Sequence, residues 1–255
     1  MNPTLFFLIL AFCLLWIPMG QHTFLNAHWM KVGIFMAPFL LMTAFSFRQH
    51  MQPIKKDIRL LGTVMFVFYL IHQFEEHWID LTGNLYALKP YLDAALRNLL
   101  GIADPTVALS TTTDIFVINT GMVWLVSCLA IVQAPKRLFP VLALAALILI
   151  NGITHIMSGI STFSYNPGLL TAVVLFVPFA AWFYMLLLKA GAITRNNAIL
   201  SLIWAILGHV ILIAGLVACY TVALPRGGYY ALLLLWSVLP SFVFSSRPTN
   251  KTSLQ

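Results

Sequence analysis

The chain has 255 residues, of which 61% are hydrophobic and only 8% charged, a balance that excludes a water-soluble globular domain of ordinary composition. Its formal net charge of +7 comes from Lys and Arg scattered in short clusters between apolar runs, without the basic stripe and interleaved aromatics of a nucleic-acid surface. The long apolar runs lack strand-type alternation, and in lipid every backbone polar group must be satisfied internally, so the expected fold is all-α: a polytopic transmembrane helix bundle of about eight helices in one domain over 1-255.

The first apolar run, near 4-19, has signal-peptide length from Leu5 to Ile17. No Lys or Arg precedes it and no small-x-small site follows Pro18-Met19-Gly20, so it reads as a retained helix. Further helices are expected near 31-47, 58-78, 114-133, 138-160, 168-189, 197-223 and 229-245, punctuated by Pro53, Gly101 to Pro105, Pro135, Pro167-Gly168 and Pro225 to Gly228. Pro178 and Pro240 fall inside runs and should kink them. Cys13, Cys128 and Cys219 lie in three different apolar runs and read as packing residues.

The long connection 79-113 predicts an interfacial helix, because Leu85, Leu88, Leu92, Leu96 and Leu99 recur at three- and four-residue steps. Lys89, Asp93 and Arg97 fall four apart on its polar side, where mutual pairing is expected. Ser110 to Asp114 supplies N-cap chemistry for the helix that follows.

Positive charge sets the expected orientation. Arg48, Lys55, Lys56 and Arg59, then Lys136 and Arg137, then Lys189 and Arg195, then Arg247 and Lys251 all fall on one side of the eight-helix scheme. The other side keeps Lys31, Lys89, Arg97 and Arg226, alone or balanced by acids. Both termini are then cytoplasmic, and Asn250-Lys-Thr252 is a chance match to a glycosylation acceptor.

Glu75 and Glu76 are the only glutamates in the chain, and they stand in His72-Gln-Phe-Glu75-Glu76-His77 near the end of an apolar helix. Ionisable groups at membrane depth are costly unless paired, solvated or ligated, and they mark functional sites. At 100° per residue His72, Glu75 and Glu76 share one helix face, whereas His77 points elsewhere. A metal here needs a donor from a second helix, and His155 in Asn151-Gly-Ile-Thr-His155 lies at matching depth, roughly 8 Å below its helix end against roughly 9 Å for His72. Asn119 falls at the same level as a hydrogen-bonding group for a ligand or substrate. Asn151, one turn deeper than His155, is expected to orient it, with the turn Tyr165-Asn166-Pro167-Gly168 just above. His209, roughly 21 Å from its helix end, reads as a packing residue.

His72, Glu75 and Glu76, followed by Asn151 to His155 and then Tyr165-x-Pro167-Gly168, resemble the HXXEE family of bacterial integral membrane proteins over roughly residues 60-185. Helices over 1-47 and 197-245 flank that core. Gly152 and Asn166 stand where the family prefers alanine and serine. The resemblance implies a bacterial inner-membrane protein and carries no assigned activity.

The first functional expectation is a metal-dependent, hydrolase-type enzyme acting on a lipid or lipid-linked substrate near the non-cytoplasmic interface. His72, His155 and Glu75 or Glu76 would hold a divalent ion, zinc in preference to iron or manganese, and the other glutamate would act as base. The same residues suit a metal-free proton-transfer isomerase or cyclase. A proton-coupled transporter fits less well, since no inverted repeat is evident and the polar groups sit near one face. A purely structural alternative is a satisfied polar network, with the glutamates paired to His72, His155 or Arg97. The bilayer itself is the expected partner; nothing bears on oligomeric state.

Overall fold

The computed structural model of the chain describes residues 3–46, 57–134 and 136–243. Pro53 and Pro135, the basic residues Arg48, Lys55, Lys56, Arg247 and Lys251, and Asn250 to Thr252 lie outside the described residues. The described part is all-helical: α1 Pro3–Gln21, α2 Thr23–Ser46, α3 Ile58–His77, α4 Leu88–Leu100, α5 Thr112–Gln133, α6 Phe139–Thr162, α7 Leu169–Lys189, α8 Arg195–Thr221 and α9 Arg226–Val238, with a last turn at Pro240–Val243.

Among the described residues six helices, α2, α3 and α5 to α8, are long and apolar enough to cross a membrane. The expected count of about eight is therefore met only in part. α1 carries a shorter apolar stretch, Ile9–Gln21. The helix expected at 229-245 instead starts at Arg226 and stops at Val238, because Pro240 has no N–H to continue the ladder. Its 13 residues reach about 20 Å, short of the roughly 30 Å hydrocarbon core. The expected gap before residue 31 is a helical bend: α2 begins at Thr23 but leaves helical geometry at His28, with φ −126° and ψ 20°.

Neighbouring helices run antiparallel. Trp29 and Gly33 of α2 meet His77 and Leu70 of α3, Gly152 and Gly159 of α6 meet Phe176 and Leu169 of α7, and Gly208 and Gly215 of α8 meet Trp236 and Tyr229 of α9. The connections 78–87, 101–111 and 163–168 thus share one end, here the upper end, while Arg59, Lys136, Arg137, Lys189 and Arg195 lie at the lower end. α6 is the central helix, fully buried from Phe139 to Ile148. Lipid tails are as apolar as the side chains they would replace, so close packing of small residues holds such helices together. Ala143, Ala145, Ala146 and Gly152 supply it here. The outward faces of α2 and α8 expose Phe35, Phe39, Met42, Ile203 and Val210, as suits contact with lipid.

Two stretches widen to π-helical turns, Val117–Trp124 in α5 and Ala172–Phe176 in α7. Pro178 lies just beyond the second and withholds a backbone donor there. Both stretches are near the upper end, and such π-bulges concentrate at functional sites.

α4 covers the upper end. Leu85, expected in this helix, precedes it in an isolated bridge with Ile79, and Leu99 is exposed, while Leu96 is buried. Lys89 and Asp93 pair at 2.8 Å, but Arg97 does not join them. Its Nη1 donates to the Val107 carbonyl at 2.8 Å. Asp93 is turned inward, where its Oδ1 accepts from Ser110 N at 2.8 Å and Ser110 Oγ at 2.7 Å; α4 is thereby stitched to the strand of chain leading into α5. At the start of α5, Thr111 and Asp114 form a reciprocal capping box.

Burial opposes ionisation of Asp93, but hydrogen bonds from Lys89 and Ser110 outweigh it and hold the carboxyl below its ordinary range. A folded-state pKa below the unfolded value means stabilisation that is present above the unfolded pKa and lost as pH falls through the folded one. Amide-exchange protection at Leu109 and Ser110 is therefore expected to fall on acidification below about pH 4. In Asp93→Asn it should be low at neutral pH already; unchanged protection in both conditions would refute the stitch.

Candidate functional site

The site is built from three segments: the buried last turn and a half of α3, the upper part of α6, and the turn 165–171 that leads into α7. Glu76 Oε1 lies 3.3 Å from His72 Nε2 and 2.9 Å from His155 Nε2. The two imidazole rings meet edge to face with centroids 4.9 Å apart, so the depths expected for His72 and His155 do bring them together. One ligand atom from each of His72, Glu76 and His155 lies within 4.8 Å of the others.

The outer ring nitrogens decide what faces inward. His155 Nδ1 is 2.7 Å from Asn166 Oδ1. The Asn166 amide orientation follows from its Nδ2, which donates to the His155 carbonyl at 3.0 Å. Nδ1 must then carry the hydrogen, assigned from the network as tautomers always are, and Nε2 of the neutral ring presents a lone pair. His72 is held in the same sense. The single Thr171 hydroxyl proton goes to Glu75 Oε2 at 2.5 Å, leaving the oxygen to accept from His72 Nδ1 at 2.7 Å. His72 Nε2 is buried with no hydrogen-bond partner of acceptable geometry. With both rings neutral, two imidazole lone pairs and a carboxylate oxygen converge on one point. Unbalanced, that arrangement is repulsive; a cation or a shared proton relieves it.

Glu75, expected as a ligand or base, stands apart from this group. Its carboxylate accepts from Tyr165 Oη at 2.8 Å, Leu170 N at 3.1 Å, Thr171 N at 2.9 Å and the Thr171 hydroxyl. It clamps the turn onto α3, and through Thr171 it orients His72. Tyr165, expected near the site, is part of that clamp and also accepts from Leu81 N at 3.1 Å.

Gly168 closes the site from above. Its backbone is left-handed, with φ +92°, and a Cβ on it would come within 2.7 Å of His72 Cε1, 2.8 Å of Glu76 Cγ and 2.9 Å of His155 Cε1. Glycine is the residue type that tolerates this conformation at such close approach.

Asn119 and Asn151 line a cavity of about 190 Å³ together with Tyr69, Glu76, His155 and His209. Asn119 is bridged to Gln73, whose Nε2 donates to its Oδ1 at 3.2 Å. Asn151 does not orient His155. It donates to Tyr69 Oη at 3.0 Å, its own Oδ1 is buried without a partner, and the orienting role belongs to Asn166. His77 Nε2 lies 3.4 Å from Glu76 Oε2, whereas Oε1 is the oxygen that faces His72 and His155. His209 bonds its own helix at Ala205 O and also faces the cavity. α4 roofs this space with Leu88, Tyr91, Leu92 and Ala95, and Tyr91 hydrogen-bonds Ser158 of α6.

The residues that sequence reasoning missed are Asn166, Gly168 in its steric role, Thr171 and Gln73. A buried Asn inside a Tyr-Asn-Pro-Gly turn is a signal that could have been read. Thr171 carried none, since a threonine at the start of an apolar helix is unremarkable until its contacts are known.

Fold and site together define an all-helical protein of membrane-spanning character with a buried His–Glu cluster at one end. Residues 63–183 match the model of the family described as protein of unknown function with HXXEE motif, and the three clustered side chains all lie within that segment. No curated protein and no solved structure matches the chain.

Proposed function

We propose that the protein is a metal-dependent membrane enzyme, of hydrolase type, acting on a lipid or lipid-linked substrate. The observation that carries this reading is the inward aim of His72 Nε2 and His155 Nε2 beside Glu76 Oε1, each imidazole fixed by a buried acceptor on its other nitrogen. Two histidines and one carboxylate with room for a further ligand is the donor set of a catalytic zinc site, and zinc is preferred to iron or manganese. A divalent ion held there would supply Lewis-acid polarisation and activation of water at neutral pH. The chain's own contribution is the fixed geometry: Asn166 and Thr171 set the tautomers, and Glu75 holds the turn that carries both. With four hydrogen bonds to satisfy, Glu75 is assigned to positioning and not to proton transfer. The abundance of Arg and Lys at the opposite end supports a site facing the non-cytoplasmic side of a bacterial inner membrane.

Elemental analysis of the protein purified without chelator tests this. About one divalent ion per chain is expected in the wild type, and close to none in Glu76→Gln or His155→Ala, since loss of one of three donors removes most of the affinity. A correctly folded wild type that takes up no divalent ion when titrated would overturn the metal reading. A metal-free acid–base site is the second reading, favoured by the 2.9 Å separation of Glu76 Oε1 and His155 Nε2, a distance suited to a shared proton.

A further inference from the structure

A second cavity, of about 320 Å³, lies beside the first and is lined by Trp29, His77, Tyr86, Lys89 and Ile115 among others. The wall between the two is one residue thick on each element. On α3, Glu76 faces the inner cavity and His77 the outer. On α4, Leu88 faces the inner and Lys89 the outer, and Ile115 of α5 faces both. The outer cavity therefore ends where the His–Glu cluster begins.

Its lining is divided. Trp29, Met30 and Ile115 are its buried apolar lining, beside buried Asn26 and His77, whereas Tyr86 and Lys89 are more exposed and mark its mouth, with Lys31 next to Tyr86 just outside the lining. Lys89 spends one N–H donor on Asp93 and keeps two. Asp93 is itself saturated by Ser110, Leu109 and Lys89. Lys31 Nζ stands 4.6 Å over the Trp78 ring and 6.0 Å from the Tyr86 ring, and makes no ion pair among the described residues. His28 Nδ1 joins Tyr86 Oη at 3.1 Å on the same rim. Two ammonium groups against one neutralised carboxylate leave net positive charge at the mouth of an apolar chamber.

We infer that the outer cavity is the substrate's binding chamber and that the substrate is an anionic amphiphile: a phosphate-bearing headgroup held at the rim by Lys31 and Lys89, with apolar chain against Trp29 and Met30. This rests on the reading of the His–Glu cluster as a substrate-processing site, and it specifies that site's substrate class. The headgroup is held at the rim and the chain runs toward His77, the wall residue next to Glu76.

Native mass spectrometry of the full chain in a neutral detergent, with dodecyl phosphate, dodecylphosphocholine and inorganic phosphate as probes, tests the assignment. Dodecyl phosphate is expected to bind about tenfold more tightly than the phosphocholine of equal chain length, and Lys31→Gln and Lys89→Gln should each cost about fivefold. Ala27→Trp, which fills the chamber, should abolish binding. Equal affinity for the two amphiphiles, or lysine variants indistinguishable from wild type, would overturn the proposal. Inorganic phosphate binding as tightly as dodecyl phosphate would overturn it in favour of a free-anion site. The same titration on His155→Ala separates this from the metal reading: the amphiphile is expected to bind that variant normally, whether or not the wild type holds metal.

Discussion

Gly168→Ala is expected to empty the His–Glu cluster of metal and to destabilise the protein by roughly 2–4 kcal/mol. Two costs add. A left-handed backbone penalises any Cβ by about 1–2 kcal/mol, and here the new atom would also lie under 3.0 Å from His72, Glu76 and His155 at once. None of the three can retreat without breaking the convergence of donors. Gly191, also left-handed at φ +65° but with nothing within 4 Å of its would-be Cβ, separates the two costs. Gly191→Ala should show the backbone penalty alone and full metal content. Thermal unfolding and metal content measured on both variants decide the matter. If Gly168→Ala behaves like Gly191→Ala, the turn does not close on the cluster.

Glu75→Gln is expected to lower metal affinity about 10- to 100-fold without eliminating the site. The neutral amide keeps one acceptor oxygen but turns an NH₂ group toward donors, so at least one of Leu170 N, Thr171 N and the Thr171 hydroxyl loses its acceptor. A buried backbone donor left unmet costs about 1–3 kcal/mol. The Thr171 hydroxyl is then free to donate to His72 Nδ1, which would turn the ring's hydrogen to Nε2 and cancel the inward lone pair. Thr171→Val should reproduce the loss of affinity with a smaller cost in stability, because the backbone bonds to Glu75 survive. Metal titration and thermal unfolding of Glu75→Gln, Thr171→Val and Glu76→Gln form the comparison. Should Glu75→Gln lose metal as completely as Glu76→Gln while keeping wild-type stability, Glu75 is a ligand and the positioning role assigned to it is wrong.

The adjacent glutamates show where sequence reading runs out. At 100° of helix rotation per residue both fall on the face of His72, and nothing local tells them apart. What separates them is the approach of another segment: Glu75 meets the backbone of 170–171, and Glu76 meets His155. The same limit governs His155, whose depth was legible from the helix rise but whose orienting partner was not. Asn151 is one turn away on its own helix, yet Tyr69 takes it, and Asn166, eleven residues on, folds back over the helix end to reach Nδ1. On α4 the period-four spacing of Lys89, Asp93 and Arg97 was visible. That Asp93 turns inward to Ser110 depends on where the 107–111 segment passes.

Composition and hydropathy alone determined that the chain is helical and of membrane-spanning character. The rarity of glutamate in it, with the equal depths of His72 and His155, determined that a polar site lies near one end. Those conclusions need only the cost of burying charge and backbone in lipid and the fixed rise of a helix. Only the tertiary structure decided which glutamate joins the histidines, which nitrogens face inward, that Gly168 seals the cluster, and that two cavities meet at Glu76 and His77. Each of these turns on contacts between segments distant in sequence, where the direction of one hydrogen bond or the space for one methyl group sets the chemistry.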